Sequence, residues 1–547
     1  MAEGTKESHF EEHIVRYLTK IAEPQFPEYT EKDNSCYDKE LCLIPEDLLA
    51  FIKDTQPQKY DALYTQYGAN TDLKIVQLVA DDINKSKLKT LKVLREKVKD
   101  RGQYLDLVYF KPSHSKTPEH LEGYLKNRLT IIRQLKYSKK NENSIDIVLF
   151  VNGIPVVTIE LKNALTGQYL HHAIKQYIQD RDPKEPLLEF KRCLVHFAVS
   201  TEQVSMCTEL KGRGTFFLPF NKALINHDDN DYATSYLWKD LLRKDSLLDL
   251  IQNYVNLQIN KEKYYDIQTK ALKEKEKPVL IFPRFHQRRA VQNLLETVRQ
   301  DGVGNKYLIQ HSAGSGKSNT IAWLAHRLSD FYRHPDDEKA LYNSVLVVTD
   351  RRVLDKQIQD NIRQFEQMPG TVEYIDKSKT SQDLKNAIEK GKRVIVTTLQ
   401  KFPVISEVIA QNKDKTYAVI IDEAHSSQAG ESARHLRKAL SLEEAESADG
   451  EEKDLDDIIV DEIKKKGDQA NISFFAFTAT PKSKTIELFG TERNGQKEAF
   501  DLYTMEQAIK EGFIKDVLKN YVSWKRYYKL IKRTEINDKE YEKKKTV

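Results

Sequence analysis

The spacing of hydrophobic residues changes character near residue 100. Before that point apolar side chains recur at helical intervals, as in Phe10, Ile14 and Leu18, so residues 1–100 are predicted to be mostly helical. From Tyr104 onward, short apolar runs predict strands instead, among them YLDLVYF, LTIIRQLKYS and RCLVHFAVST. The first part of the chain is therefore predicted to combine helices with a sheet.

In the second half of the chain, predicted strands and helices alternate. The runs KYLI, SVLVVT, RVIVTT, YAVII and SFFAFT are strand-like, and helical patterns lie between them. This alternation predicts an α/β fold with a parallel sheet. We place the first domain at residues 1–260, a second at 261–500 and the beginning of a third at 501–547. The charged run KALKEKEKP, which ends at Pro278 and has no apolar face, is predicted to be a solvated connector.

Composition narrows the class of protein without indicating an activity. The chain has 547 residues, of which 39% are hydrophobic and 31% charged, as is typical of a soluble protein with more than one domain. It has no long apolar run and no signal-peptide pattern, so no membrane contact is predicted. Its four cysteines include no C-x-x-C pair, which suits a reducing cytoplasm. Because the net charge is only +4, any DNA-binding surface must be a local patch.

A phosphate-binding loop is predicted between a strand and a helix. It comprises Ala313, Gly314, Ser315, Gly316, Lys317 and Ser318. Small residues let backbone N–H groups point at phosphate oxygens, and the helix N-terminus adds positive potential. Lys317 would reach the β- and γ-phosphates of ATP, and Ser318 would offer its hydroxyl to Mg²⁺. The loop departs from G-x-x-x-x-G-K-[ST] at one position, where His311 replaces the first glycine.

An acidic pair, Asp422 and Glu423, closes the strand-like run YAVII. In an ATPase the first carboxylate holds Mg²⁺ through water, and the second polarises the attacking water. Asp422 lies 105 positions after Lys317, which leaves room for several strand–helix units between them. The alternative is a plain acidic surface turn, and the upstream phosphate loop makes it the weaker one.

The segment DIVLFVNGIPVVTIELKN predicts a β-hairpin that turns at Asn152-Gly153 and carries Asp146, Glu160 and Lys162. Two carboxylates can hold Mg²⁺ against a phosphodiester, and a neighbouring lysine can orient and help to deprotonate a water. The D…E-x-K spacing by itself fits a solvated strand edge better. Asp146 and Glu160 reach the same face only if the hairpin has an odd-numbered loop or a bulge, so we predict one of these two irregularities.

These motifs together resemble those of a known family. The phosphate loop, the segment Asp422–His425 and Thr478-Ala479-Thr480 look like motifs I, II and III of superfamily 2 helicases. The segment Asp350–Gln357 and the hairpin resemble the motor (R) subunit of type I restriction enzymes. The resemblance implies a restriction-endonuclease-like domain, followed by a RecA-like P-loop ATPase domain and the start of a second RecA-like domain.

The same resemblance implies a function and partners. R subunits use ATP and Mg²⁺ to pump double-stranded DNA and cut unmodified DNA away from the recognition site, while separate M and S subunits carry out modification and recognition. Two other interpretations remain open. One is a DNA repair helicase with a fused nuclease-like domain, and the other is a non-catalytic, ATP-gated module that docks on DNA.

Residue roles are implied in the same way. Gln287 is expected to recognise adenine, and Thr478 and Thr480 to couple the state of the nucleotide to the grip on DNA. Gln176 matches the glutamine of a Q-x-x-x-Y motif, although Asp180 occupies the tyrosine position. His425 is expected at the nucleotide, and the residues expected to contact DNA phosphates are Arg351, Arg352 and Lys401.

Two expectations concern an insertion and the end of the chain. Residues 443–462 hold 11 Asp or Glu and one Lys, and such a segment is expected to form a mobile insertion. After Pro481 nothing resembles motif VI, Q-x-x-G-R-x-x-R. The chain is therefore expected to be truncated and slow in ATP hydrolysis, because such motors use an arginine to stabilise the charge on the transferred phosphoryl group.

Overall fold

The structure is a computed structural model, and it describes most of the chain. Its described residues are 7–20, 28–222, 226–266, 271–349, 352–366, 370–375, 379–422 and 470–514. The acidic segment at 443–462 and the chain after 514 lie outside them. Along the described ranges, no helix combines the length and the apolar character needed to cross a lipid bilayer.

Helices dominate the N-terminal part of the chain, as its hydrophobic spacing predicted. They are α1 (Glu7–Lys20), α2 (Pro45–Thr55), α3 (Pro57–Tyr67), α4 (Thr71–Lys85), α5 (Thr90–Arg95) and α6 (Pro118–Leu125), with the short strands β1 (Tyr29–Glu31), β2 (Val98–Asp100) and β3 (Gln103–Leu105) among them. The strand expected over YLDLVYF is shorter than predicted. The Gln56 side chain accepts from the backbone N–H of Asp106 and donates to its carbonyl oxygen, and so takes the place of a strand partner.

A mixed seven-stranded sheet forms the centre of the first domain, in the order β1-β4-β5-β6-β7-β8-β9. Its further strands are β4 (Leu129–Lys136), β5 (Ser144–Val151), β6 (Ile154–Lys162), β7 (Val195–Ser200), β8 (Val204–Cys207) and β9 (Leu218–Pro219). Strand β6 runs parallel to β7, and α7 (Leu170–Gln179) lies in the crossover that joins them. Helix α1 contributes Phe10, Ile14 and Leu18 to the core beside this sheet.

The hairpin of β5 and β6 contains a bulge. Asn152 and Gly153 form a two-residue turn with φ of 48° and 79°, the geometry that Asn-Gly favours. The pairs across the hairpin include Val151–Ile154, Phe150–Pro155, Leu149–Val157 and Ile147–Ile159. Val156 is therefore an extra residue in β6. Continuing the register beyond the bulge sets Asp146 opposite Glu160, so the prediction of an odd loop or a bulge is confirmed.

The charged segment predicted to be a solvated connector is a β-strand, so that prediction was wrong. Strand β11 (Ala271–Ile281) pairs antiparallel with β10 (Asn256–Asp266). Residues of opposite charge pair across this ladder, as in Lys261–Glu276, Glu262–Lys275 and Lys263–Glu274. Such pairs stabilise the charged part of this two-stranded ribbon, which hydrophobic periodicity alone does not reveal.

Seven parallel strands form the sheet of the second domain, in the order β14-β15-β13-β16-β17-β12-β20. The strands of this part of the chain are β12 (Lys306–His311), β13 (Ser344–Thr349), β14 (Val372–Ile375), β15 (Val394–Thr398), β16 (Tyr417–Asp422), β17 (Ile472–Thr478), β18 (Thr491–Arg493), β19 (Gln496–Glu498) and β20 (Asp501–Tyr503). Because β20 pairs with β12, the sheet extends past residue 500. The domain boundary expected at that residue therefore falls inside the sheet.

Helices connect these strands and join the two domains. They are α8 (Lys244–Asp249), α9 (Phe285–Asp301), α10 (Lys317–Ser329), α11 (Arg352–Phe365), α12 (Ser381–Glu389), α13 (Phe402–Gln411), α14 (Ser483–Phe489) and α15 (Met505–Lys510). The Trp323 indole N–H, in α10, donates to the Tyr254 carbonyl oxygen at 3.0 Å. Phe282 packs on Phe197 of the first sheet with ring centroids 6.0 Å apart. Helix α10, which follows the phosphate loop, thus also contacts the chain that leaves the first domain.

Candidate functional site

The first candidate site lies where β5 and β6 run side by side beyond the bulge. Asp146 and Glu160 are 6% and 0% exposed there. Asp146 Oδ2 accepts a hydrogen bond of 2.7 Å from the Leu161 N–H. Glu160 Oε1 accepts one of 2.7 Å from Arg181 Nε, whereas the buried Oε2 finds no donor among the described residues. A buried carboxylate oxygen in this position fits a cation ligand.

The charged groups around Glu160 shift its pKa in opposite directions. Burial raises the pKa of Glu160 well above its ordinary value, and the neighbouring Asp146 carboxylate raises it further. The Arg181 guanidinium acts in the opposite direction, and at 7% exposure it forms an ion pair with Glu160 that is closed to water. A divalent cation between the two carboxylates would relieve the repulsion that now favours a proton on Glu160.

Lys162 lies two residues after Glu160, on the same face of β6. Its ammonium donates to the Leu161 carbonyl oxygen at 2.7 Å and to Glu7 Oε1 at 2.9 Å. Glu7 belongs to α1, so this helix holds the lysine at the edge of the site. The fold therefore brings Asp146, Glu160 and Lys162 to one end of the β5–β6 ladder, where they form the carboxylate centre.

Two further residues at this centre were not found from the sequence. Gln134, in β4, donates from Nε2 to Asp146 Oδ1 at 3.1 Å and to Glu11 Oε2 at 2.7 Å. Glu11, in α1, is 8% exposed, and burial raises its pKa to about 7 although the Gln134 hydrogen bond acts in the opposite direction. An acidic residue beside the buried Phe10 was an available signal for Glu11, whereas nothing in the spacing marks Gln134.

Helix α7 packs against the sheet through Tyr177 rather than through Gln176, the residue that the resemblance implied. Gln176 is half-buried, whereas Tyr177 is fully buried with its hydroxyl 2.8 Å from Thr158 Oγ1. Arg181, four residues after Tyr177, reaches Glu160 from just beyond the helix end. Helical spacing from Tyr177 was a signal that could have identified Arg181.

The centre offers two acidic ligands to a metal ion. Within the part of the chain that the structure describes, no group of three or more His, Cys, Asp or Glu could hold a metal ion. Two carboxylates suit Mg²⁺, which keeps several waters and takes further ligands from substrate phosphates. The unsatisfied Glu160 Oε2 is the structural observation that fits Mg²⁺ at this place.

Replacing Arg181 with methionine is expected to lower the thermal unfolding temperature of this domain. Glu160 would then carry a buried charge without a partner, and breaking such a pair costs about 3–5 kcal/mol. Because the pKa of Glu160 is raised in the folded chain, its ionisation costs stability as the pH rises above the ordinary glutamate range. Arg181 opposes that cost, so the loss should be larger at about pH 8 than at about pH 5.

Thermal unfolding of three variants at the two pH values checks this expectation. The double variant Arg181→Met/Glu160→Gln removes the charge as well as its partner, and should recover much of the lost stability. Equal losses at both pH values, or a double variant no more stable than Arg181→Met, would contradict the ion pair as the source of the effect.

The second candidate site is the loop between β12 and α10. Gly314 and Gly316 have φ of 75° and 85°, and a Cβ on Gly316 would lie 2.5 Å from Gln287 Nε2. Lys317 begins α10, and its Nζ donates to the His311 carbonyl oxygen at 3.2 Å. The loop therefore has the tight backbone that phosphate binding requires, with its lysine folded against it.

Helix α9 supports the phosphate loop from the side. Gln287 Nε2 donates to the Gly316 carbonyl oxygen at 3.0 Å, and its Oε1 accepts from the Arg284 N–H at 3.0 Å. His286 Nε2 lies 3.1 Å from the Ser315 carbonyl oxygen. Gln287 is thus in direct contact with the loop, while its recognition of adenine stays a prediction.

His311, which replaces the first glycine of the motif, fastens the loop's strand to β20. Its Nε2 is 2.7 Å from Asp501 Oδ1, and both residues are buried. Burial lowers the pKa of His311, although the Asp501 carboxylate acts in the opposite direction. Arg289 also donates to Asp501, at 3.2 Å from Nε and 3.1 Å from Nη2. The departure from the consensus therefore has a structural reason.

The carboxyl ends of β16 and β17 lie at the same edge of the sheet as the phosphate loop. Asp422 ends β16, and Thr478 ends β17 opposite Gln310 of β12. Ligand sites in parallel sheets form outside the carboxyl ends of the strands. Asp422 and Thr478 therefore lie at the same edge of the sheet as Lys317. Strand β17 separates β16, which ends in Asp422, from β12, which precedes the phosphate loop.

Four other residues with predicted roles lie wholly or partly outside the described residues. Glu423, His425 and Arg351 lie outside the described residues, and Arg352 begins α11 with its side chain outside them. Their roles stay predictions.

The structure describes four further residues with predicted roles, namely Lys401, Ser318, Ala313 and Thr480. Lys401 donates to the Lys379 carbonyl oxygen at 2.9 Å, so its ammonium is engaged within the protein. Ser318 is half-buried in the first turn of α10, and Ala313 is exposed at the tip of the loop. Thr480 is exposed, and its N–H donates to Thr478 Oγ1 at 3.2 Å.

Two parts of the chain match known protein families. Residues 50–215 match the family described as the type I restriction enzyme R protein N terminus. Residues 286–445 match the family described as the SWI2/SNF2 ATPase. The carboxylate centre lies in the first match, and the phosphate loop with Asp422 lies in the second.

Curated relatives resemble both parts. The chain is 26% identical over 427 residues to the type I restriction enzyme HindI endonuclease subunit of Haemophilus influenzae, which covers 72% of this chain and 34% of the relative. It is 24% identical over 376 residues to the SauMSSORF170P endonuclease subunit of Staphylococcus aureus, covering 67% of this chain and 36% of that one. The chain spans about a third of the length of these relatives.

Two solved structures also show weak similarity to this chain. The helicase domain of Hef from Pyrococcus furiosus is 20% identical with a TM-score of 0.25, covering 38% of each chain. A fragment assigned as an HsdR subunit of a type I restriction enzyme from Vibrio vulnificus is 14% identical with a TM-score of 0.26, covering 68% of this chain and 52% of the other. By its two family matches and its curated relatives, this chain is similar to the endonuclease (R) subunits of type I restriction enzymes, with an R-protein N-terminal region followed by an SNF2-like ATPase region.

Proposed function

We propose that this chain forms the nuclease and motor part of an R subunit in a type I restriction enzyme. It would move double-stranded DNA at the expense of ATP and cut unmodified DNA away from the recognition site. The observation that carries the proposal is the β5–β6 bulge, which sets Asp146 opposite Glu160 in a chain that also holds a phosphate loop on a parallel sheet. The names of the curated relatives support the same assignment.

At the carboxylate centre, the chain's own residues would prepare a phosphodiester for attack by water. Asp146 and Glu160 would hold Mg²⁺, which when bound polarises the phosphate and makes a bound water more acidic. Arg181 keeps Glu160 in place through their buried ion pair. Lys162, after leaving Glu7, would orient the attacking water and help to remove its proton.

At the phosphate loop, the chain's residues would bind ATP and orient its terminal phosphate. The loop N–H groups and Lys317 would neutralise the phosphate oxygens, while Ser318 and Asp422 would hold the Mg²⁺ that neutralises charge on the transferred group. Glu423 would polarise the attacking water. Gln287 already contacts the loop at Gly316, which supports its placement beside the nucleotide.

The partners in this proposal are double-stranded DNA and the M and S subunits of a cytoplasmic type I complex. In this proposal the S subunit would recognise the DNA sequence and the M subunit would methylate it, as the resemblance to R subunits implies. Thr478 and Thr480 would pass the state of the nucleotide to the DNA-contacting loops, where Arg351 and Arg352 would meet DNA phosphates.

A plasmid-cleavage assay with the complete complex tests the proposal. The complete R subunit, mixed with its M and S subunits, should convert an unmethylated plasmid to linear DNA when ATP and Mg²⁺ are both supplied. It should leave a methylated plasmid intact. Cleavage that does not depend on ATP, or no cleavage of unmethylated plasmid by an assembled complex, would count against the assignment.

A further inference from the structure

Gln134 stands at the mouth of the carboxylate centre in a backbone conformation that strands do not favour. Its φ is 48°, in the middle of β4, although the flanking pairs Arg133–Ile147 and Leu135–Ile145 are regular. A non-glycine residue in the left-handed region costs about 1–3 kcal/mol and persists only where the surroundings hold it there. The side chain is exposed, while Asp146 behind it is buried.

The amide group of Gln134 makes three hydrogen bonds. Its Nε2 donates to Asp146 Oδ1 at 3.1 Å and to Glu11 Oε2 at 2.7 Å, and its Oε1 accepts from Ser144 Oγ at 3.0 Å. Both carboxyl groups offer acceptor oxygens to the amide, so its NH₂ end faces the two acids. One neutral amide therefore supplies donors to two buried carboxylates, and these contacts explain why the strained backbone is kept.

Gln134 donates to Asp146 Oδ1, a carboxylate oxygen that could otherwise bind a metal ion. Asp146 Oδ2 already accepts from the Leu161 N–H at 2.7 Å. Glu160 Oε1 is taken by Arg181, and Oε2 is the buried oxygen that finds no donor among the described residues. Glu160 Oε2 therefore has no donor within the described chain, and Asp146 Oδ1 is held by the Gln134 amide. A cation held by both carboxylates would compete with that amide at Asp146 Oδ1.

We propose that the Gln134 amide is a placeholder for the divalent cation of this centre, an inference that rests on the proposed nuclease function. The amide holds Asp146 and Glu11 in position before the cation arrives, and it leaves Asp146 Oδ1 when the cation binds. Because the cation must displace these hydrogen bonds, Gln134 weakens its apparent affinity.

Titration of the full chain with Mn²⁺ in the absence of nucleotide tests this role. Gln134→Gly removes the amide and suits the positive φ, while Gln134→Asn keeps that conformation but is too short to reach both carboxylates. Each variant should bind Mn²⁺ roughly fivefold more tightly than the wild type, because a hydrogen bond with a net value of about 1 kcal/mol no longer competes. Mn²⁺ should also raise the unfolding temperature of each variant by more than that of the wild type.

Two control variants separate the possible outcomes. Gln203→Gly, in the turn between β7 and β8, controls for the glycine substitution and should bind Mn²⁺ as the wild type does. Asp146→Asn removes a ligand and gives the baseline for Mn²⁺ bound elsewhere. Unchanged or weaker binding by Gln134→Gly and Gln134→Asn overturns the placeholder role. A wild type that binds no better than Asp146→Asn overturns the metal centre itself, and the proposed nuclease function with it.

Discussion

Alanine in place of Lys317 is expected to abolish ATP-driven translocation by the complete complex. The Lys317 ammonium lies within the phosphate loop, 3.2 Å from the His311 carbonyl oxygen, and in the proposed mechanism it would meet the terminal phosphates. Removing one preorganised donor from a centre of developing charge costs about 10²–10³-fold in rate. ATP hydrolysis should fall by at least that factor, and cleavage that depends on translocation should fall with it.

ATPase and triplex-displacement assays on the assembled complex measure this effect. Lys385→Ala is the matched control, since Lys385 belongs to the same domain and pairs with Glu407 Oε1 at 3.2 Å on helices away from the loop. It should hydrolyse ATP and translocate DNA like the wild type. Wild-type translocation by a folded Lys317→Ala complex would remove the phosphate loop from the mechanism.

The variants Asp146→Asn, Glu160→Gln and Lys162→Ala are expected to stop DNA cleavage while ATP hydrolysis and translocation continue. Loss of a carboxylate ligand removes stabilisation of several kcal/mol from a metal-assisted reaction, which corresponds to roughly 10³-fold or more in rate. The motor should be unaffected, because these three residues lie on β5 and β6 whereas the phosphate loop belongs to the second sheet.

Cleavage and DNA-stimulated ATPase are measured on the same preparations, so that folding and assembly are controlled within each variant. Glu142→Ala provides a matched carboxylate, since Glu142 precedes β5 by two residues and its side chain is 79% exposed in a pair with Lys136. It should cut DNA normally. Simultaneous loss of cleavage and ATPase in a folded Asp146→Asn complex would contradict two separate centres.

Patterns that repeat along the chain were sufficient for the larger features. Alternating apolar runs predicted the parallel sheet of the second domain, and the strand–loop–helix pattern predicted the loop that ends in Lys317. The bulge followed from the parity of side chains in a hairpin, because Asp146 and Glu160 share a face only with an extra residue between them. The long β10–β11 ribbon was missed, since cross-strand charge pairs leave no hydrophobic period.

The sequence by itself determined the bulged hairpin and the strand–loop–helix around Lys317, because motif spacing and strand parity are local properties, while the chemistry assigned to their residues stays a prediction. Tertiary structure alone decided which other side chains complete those centres. Gln134 in β4 forms hydrogen bonds with Glu11 in α1 and Asp146 in β5. His311 contacts Asp501, which lies 190 positions later in the sequence. Contacts of this kind depend on how distant elements pack in space, and no periodicity along the chain records them.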